Sequence, residues 1–253
     1  MRILAVSLAL LAFTACNSAE QKVETPKTEA KAAVNYFQVD PATAGSITGK
    51  ITFTGHAPPR KVINVKSEEP ECASSSPTLA EGLIVAPDGS LANAFVYISA
   101  GLEGKIFAPP DGPARFDQKG CMFHAHVIGV RTGQKFIVSN SDPVTHNVHP
   151  IPQKNVEWNR GQRPGAPPLE RVFDKPEIGI LVKCNVHSWM NAYVNVVDHP
   201  YFAVTGEDGS YTLKNLPPGD YTVTVWHEKL GTTEQKVTVP PSGAARADFK
   251  LGK

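Results

Sequence analysis

Long helical periodicity is missing from this chain. Its 253 residues include 22 Pro and 20 Gly and are only 41% apolar, which excludes a long helical bundle and leaves one large or two small β-type domains. A preponderance of one charge is missing too. Against 25 Lys and Arg stand 24 Asp and Glu, a formal net charge of +1 without any block of like charge, so no nucleic-acid partner is expected. Cysteine is scarce, four in all, and no CxxC pair occurs, which removes the usual framework of a structural zinc site. There is no Ser-His-Asp order, no pair of catalytic carboxylates in a recognisable motif and no phosphate-cradling loop. Enzymatic turnover of a small molecule is therefore not expected.

What is present begins with MRILAVSLALLAFTAC, residues 1–16. One early Arg, an apolar run and small residues before a Cys form an export signal too short to span a bilayer as a mature helix. The ending FTAC resembles the bacterial lipobox, although Phe13 stands where Leu is usual. That resemblance implies lipidation of Cys16, membrane attachment through the lipid and a place on the periplasmic side of a bacterial membrane. Asn17 resembles the sorting residue of lipoproteins bound for the outer membrane. Residues 17–44 mix Ala, Lys, Glu, Thr and Pro without apolar periodicity and read as a flexible tether. A coil of that length reaches roughly 30 Å on average.

From residue 45 onward the signals are short alternating runs broken by Gly, Pro and Asp, among them SITGKITFTG, ANAFVYIS, IGILVKC, AYVNVVD and GDYTVTVWHE. They read as an all-β chain. Ile47, Ile51 and Phe53 alternate with polar or small residues. Tyr221, Val223 and Val225 alternate with Thr222, Thr224 and Trp226, as expected of strands with one buried face. GSITGKITFTG, PDGSLANAFVYIS and TGEDGSYTLKNLPPGDYTVTV together resemble the carboxypeptidase regulatory-like, or transthyretin/prealbumin-like, β-sandwich. About a hundred residues separate the second piece from the third. The pattern therefore predicts a discontinuous sandwich made of 45–105 and 199–253, with a second domain over 106–198 inserted in it. Two domains in tandem, breaking near His199, are the simpler alternative.

Within VKCNVHSWMNAYV, residues 182–194, Cys184, His187 and Met190 bring a thiol, an imidazole and a thioether within seven positions. Such soft donors favour copper over zinc or iron. A copper that cycles between oxidation states wants two imidazoles and a thiolate in a plane with a weak axial thioether. NSDPVTHNVHP, residues 140–150, supplies the second imidazole through His146, with His149 as its rival. A rigid β-sandwich can bring both loops to one end of its sheets.

These paired segments, VRTGQKFIVSNSDPVTHNVHP and VKCNVHSWM, resemble the cupredoxins, or small blue copper proteins. The His-Asn-Val run is shared with plastocyanin and amicyanin, and the spacing Cys-x-x-His-x-x-Met is that of amicyanin. The resemblance implies a cupredoxin-like Greek-key sandwich holding one type 1 copper, with His146, Cys184 and His187 as equatorial ligands and Met190 as the axial one. Asn147 would hold the ligand loops together. It also implies electron transfer through the edge of His187 to a redox partner such as a cytochrome or a dehydrogenase. Two departures stand out: Ser188 sits where amicyanin-like loops carry Pro, and residues 151–170 are irregular and Pro-rich. With Cys16 assigned to lipid and Cys184 to metal, Cys72 and Cys121 remain as a disulfide pair.

Two other functions use the same features differently. One is copper delivery or sequestration without redox traffic, and the other is an adhesion or carbohydrate-binding scaffold suggested by the transthyretin-like part. His124 and His126 form an HxH pair without an accompanying carboxylate or imidazole cluster in the sequence. With His56, His199 and His227 they read as structural or surface residues. Trp158, Trp189 and Trp226 are candidate docking aromatics, and Trp189, inside the ligand loop, is expected to pack over the site.

Overall fold

The computed structural model describes residues 34–72 and 76–252. Cys16, the export signal and residues 17–33 of the expected tether lie outside the described residues. The first elements are β1 (Gly45–Thr54), β2 (Val62–Ile63), the one-turn helix α1 (Val65–Glu68), β3 (Thr78–Leu79) and β4 (Phe95–Ala100). A central block follows with β5 (Ala114–Lys119), β6 (Met122–His124), β7 (Val127–Arg131), β8 (Phe136–Asn140) and β9 (His146–Ile151). It continues through β10 (Arg160–Gln162), β11 (Leu169–Arg171), β12 (Glu177–Lys183) and β13 (Asn191–Val197). The chain closes with β14 (Phe202–Val204), β15 (Ser210–Leu216), β16 (Gly219–His227), β17 (Gly231–Val239), β18 (Ala244–Arg246) and β19 (Phe249–Gly252). The protein is all-β, as the alternation predicts.

Strands from the two ends of the chain share their sheets. β1 pairs antiparallel with β15 and parallel with β18 and β19, while β4 lies between β14 and β16 in a sheet ordered β14-β4-β16-β17. Their inner faces meet in one core that includes Ile47, Ile51, Leu91, Val96, Ile98, Leu213, Val223 and Val225. Gly49 is required in β1, because a Cβ there would stand 1.8 Å from the Ala247 carbonyl oxygen. That carbonyl accepts the Tyr211 hydroxyl at 2.6 Å.

Residues 114–197 build two sheets of their own, ordered β10-β9-β12-β13-β7 and β11-β8-β5-β6. Each contains one parallel pair, β7 with β13 and β5 with β8. Phe116, Phe123, Phe136, Phe173, Val148, Val182 and Val194 fill the space between them. The Pro-rich stretch 151–170 contributes β10 and β11, which extend the two sheets at β9 and β8. Its Gln162 is buried, donating to the Val138 carbonyl and accepting from Gln118.

One alternation departs from expectation. Thr224 is buried and Trp226 half-buried, although β16 reads as having one wet face. The second sandwich covers that face: Trp226 packs on Tyr193 of β13 with ring centroids 5.2 Å apart. Phe95, Val127 and Val197 form the centre of this junction.

His227, at the end of β16, is 1% exposed, and its Nδ1 accepts the Lys229 amide at 3.2 Å. Burial pushes its pKa down from 6.5 to about 4. Because the unfolded chain binds the proton more readily, the His227 contribution is full above pH 6.5 and declines as pH falls through 4. The complete shift corresponds to about 3 kcal/mol. His227→Gln is expected to flatten the dependence of unfolding free energy on pH between 6.5 and 4, measured by urea denaturation. An unchanged slope would contradict the assignment.

Candidate metal centre

The site forms where three strand ends meet. β12 pairs with both β9 and β13, with Lys183 opposite His149 and Asn191. His146 therefore opens β9 beside the loop that leaves β12 at Cys184 and enters β13 after Met190. Backbone hydrogen bonds from Cys184 N to Met190 O (3.1 Å) and from Met190 N to His187 O (3.0 Å) close that loop on itself.

His146, Cys184 and His187 are buried, and one donor atom from each lies within 4.8 Å of the others. The Nδ1 atoms of the two imidazoles are 2.9 Å apart, and Cys184 Sγ is 3.9 Å from His187 Nδ1. The His187 amide also donates to that sulfur at 3.4 Å. Met190 is 1% exposed and belongs to the same core as Cys184. His149 stays outside this group, with its Nε2 2.7 Å from Glu157 and its Nδ1 3.2 Å from Asn185. Asn147 bridges the loops, accepting the Asn185 amide at 2.5 Å and donating to Asn159 at 2.6 Å.

Two carboxylates that the local motifs do not reveal set the imidazole chemistry. Asp142 is buried and accepts from the amides of Gly120 (2.6 Å) and Cys121 (2.9 Å), and its Oδ2 lies 2.8 Å from His146 Nε2. Glu69 approaches His187 Nε2 at 3.2 Å. A carboxylate only accepts, so each Nε2 carries the hydrogen and each Nδ1 is left with a lone pair. The two lone pairs then face one another across 2.9 Å. They repel unless a proton or a cation stands between them. Burial also pushes the His146 pKa below its ordinary value, against the opposing pull of Asp142, which favours the neutral, ligating form. Hydrogen bonding with Glu71, and then with His187, holds Glu69 below the usual carboxylate range.

Glu69 arrives on a segment that carries little strand or helix signal in the sequence. β2 and β3 pair at its base, Val65 anchors it in the core, and a Cys72–Cys121 disulfide ties its far end to the start of β6. The disulfide sulfurs lie within 4.8 Å of donor atoms on Asp142 and His146. This segment changes the expected exit: His187 is 4% exposed, so its edge is not open to a partner. Trp189 packs on the His187 ring with centroids 5.1 Å apart and donates its indole N–H to Cys121 O at 3.0 Å. It is half-buried.

The donor set fits a soft or borderline ion. A cysteine sulfur and two imidazoles are copper ligands by type, and separations of 2.9 and 3.9 Å suit donors about 2.0–2.3 Å from one ion.

Residues 188–252 match the model of the carboxypeptidase regulatory-like domain. The match begins inside the Cys184–Met190 loop and takes in β13, which pairs within the five-stranded sheet. No curated protein matches this chain. Among solved structures, the chain is similar to a purple cupredoxin from Nitrosopumilus maritimus at 18% identity and a TM-score of 0.29, over 33% of this chain and 99% of that one. An oxidised mutant of amicyanin is similar at 16% identity and a TM-score of 0.31, over 40% of this chain and 98% of that one. A copper-containing nitrite reductase from Thermus scotoductus is similar at 17% identity and a TM-score of 0.32, over 40% of this chain but only 25% of the reductase. The chain is thus an all-β protein whose residues 188–252 match the carboxypeptidase regulatory-like domain.

Proposed function

We propose that this chain binds one copper ion and serves as an electron-transfer carrier. The observation that carries the reading is the pair of imidazole lone pairs facing one another beside a buried thiol, with both outer nitrogens held by carboxylates. His146 Nδ1, Cys184 Sγ and His187 Nδ1 would hold the ion, and Met190 would supply the fourth donor. Copper would contribute a reversible one-electron couple. The residues contribute a dry, braced pocket: Asp142 and Glu69 fix the ring tautomers and Asn147 fixes the loop spacing. With four protein donors no open position is left for a substrate, so we read the protein as a carrier without turnover. The covered His187 edge directs exchange with a redox protein through Trp189. The Cys72–Cys121 disulfide supports an oxidising compartment, in keeping with an exported protein held on the periplasmic side by lipid at Cys16. Among the described residues no helix is long and apolar enough to cross a membrane.

The covering segment also favours a second reading, in which the same ligands sequester or deliver copper. Loading the full chain with Cu(II) separates the two. A carrier is expected to show an intense visible thiolate-to-copper band and reversible voltammetry, and Cys184→Ala should abolish the band while preserving the circular dichroism. Ready loss of Cu(I) to a chelator would favour delivery, and no copper uptake would end both readings.

Glu69 makes a sharper prediction. A carboxylate on Nε2–H makes the imidazole a stronger donor and favours the more highly charged ion. Glu69→Gln is therefore expected to raise the reduction potential. A tenfold loss of Cu(II) affinity relative to Cu(I) corresponds to about 59 mV. A potential that stays put or falls, read by voltammetry, would show that Glu69 does not act on the ligand.

A further inference from the structure

His126 precedes β7 at the junction of the sandwiches, and its side chain is only 3% exposed. The sequence alone shows no carboxylate beside it. The fold brings two, Glu228 from the end of β16 and Glu81 from the loop after β3. His126 Nε2 is hydrogen-bonded to the Glu228 carboxylate. Burial pushes the Glu228 pKa up, but the hydrogen bond and charge of His126 outweigh it, and the net direction is down. An ionised Glu228 keeps the hydrogen on Nε2 and leaves a lone pair on Nδ1.

That Nδ1 faces Glu81 Oε2 across 3.8 Å, too far for a hydrogen bond. Both atoms are buried and neither has a hydrogen-bond partner among the described residues. Buried polar atoms are normally satisfied, and leaving both of these without a partner is costly. A separation of 3.8 Å is what two donors about 2.1 Å from one ion present at an open angle of about 130°. Glu81 and His126 border a cavity of about 140 Å³, lined also by Met122, Trp189, Asn191 and Lys229. With about 30 Å³ per water, it has room for an ion and the waters that complete its shell. Lys229 approaches the other oxygen of Glu228, 3.6 Å away. The pattern repeats that of the first centre, where a carboxylate on Nε2 aims Nδ1 at the ligand position.

We propose that His126 Nδ1 and Glu81 Oε2 form a second, independent divalent-metal site, with Glu228 as its positioning residue. One imidazole and one carboxylate suit a borderline ion such as zinc(II) better than magnesium or calcium. A zinc ion there would join the Glu81 loop to the inserted sandwich, while His126 and Glu228 tie that sandwich to the β16–β17 hairpin. The site lies outside the Cys184 cluster and does not rest on the copper reading.

The test counts zinc at saturation on the full chain and on Glu81→Gln by equilibrium dialysis with elemental analysis. Glu81→Gln is expected to bind one equivalent fewer, whether or not the Cys184 centre also takes zinc. Glu228→Gln is expected to keep the site but weaken it about 10- to 100-fold. Zinc should raise the thermal midpoint of a Cys184→Ala, His187→Ala chain and not that of the same chain carrying Glu81→Gln. Equal stoichiometry in the wild-type and folded Glu81→Gln chains would overturn the proposal, leaving His126 as an ion-paired structural residue. A lack of copper uptake at the first centre would leave this difference in zinc count intact.

Discussion

The constraint on which this molecule turns is the 2.9 Å separation between His146 Nδ1 and His187 Nδ1 in a buried pocket. Two lone pairs in a low-dielectric interior cost free energy unless something positive lies between them. The fold holds them there because each ring is fixed from behind. Asp142 is anchored by two backbone amides at the start of β6, so it cannot swing away to relax His146. Glu69 is held by a segment whose far end is covalently attached to the same place. The strand pairings bring the ligand loops together, and the carboxylates decide which nitrogen each ring presents.

The disulfide thus has two consequences. It closes residues 72–121 into a loop, which lowers the entropy of the unfolded chain, and it keeps the Glu69 carboxylate over His187. The cupredoxin resemblance implies transfer through the edge of His187, and here the covering segment leaves that residue 4% exposed. Trp189 touches the His187 ring on one side and borders the cavity at His126 on the other. The candidate metal centre and the polar cluster at the sandwich junction consequently share one wall.

Much of this arrangement was legible in the sequence, for reasons that differ by residue. β1, β15 and β16 announce themselves because Ile47, Ile51, Tyr211, Leu213, Tyr221, Val223 and Val225 follow the period of two that a half-buried strand imposes. Cys184, His187 and Met190 are visible because loop ligands fall close together in sequence. Glu69 is not, because it meets His187 across 118 residues of separation. Two-residue strands such as β2 and β3 are too short to show any period. Thr224 and Trp226 look wet because alternation reports a strand's own two faces and says nothing of a second sandwich packed on one of them. His126 looks solitary because its carboxylates come from distant loops. Only Asp142 lay within the quoted motif, where its Asp-Pro context reads as a turn and conceals its bond to His146.

The same geometry explains why a complete sandwich can stand between strands of another. β4 and β14 flank residues 101–201 and pair directly, with Tyr97 opposite Phe202 and Phe95 opposite Val204. The chain therefore leaves and returns at adjacent points of one sheet. Loop-closure entropy grows only with the logarithm of length, about 0.6 kcal/mol for each doubling, so a long excursion costs little more than a short one. The excursion has its own core, with Phe116, Phe136, Val182 and Val194 buried in it. At its root, Phe95 of β4, Val127 of β7 and Val197 of β13 form a buried cluster with Phe202 packed against it. The first and last strands that enter this junction are thereby fixed to the host sheet. The loops that carry the candidate donors emerge from strands braced at that junction: β13 follows Met190 directly, and β12 and β9 pair onto it in succession. Rigid placement of the ligands follows from the way the two sandwiches are joined as well as from the loop that carries them.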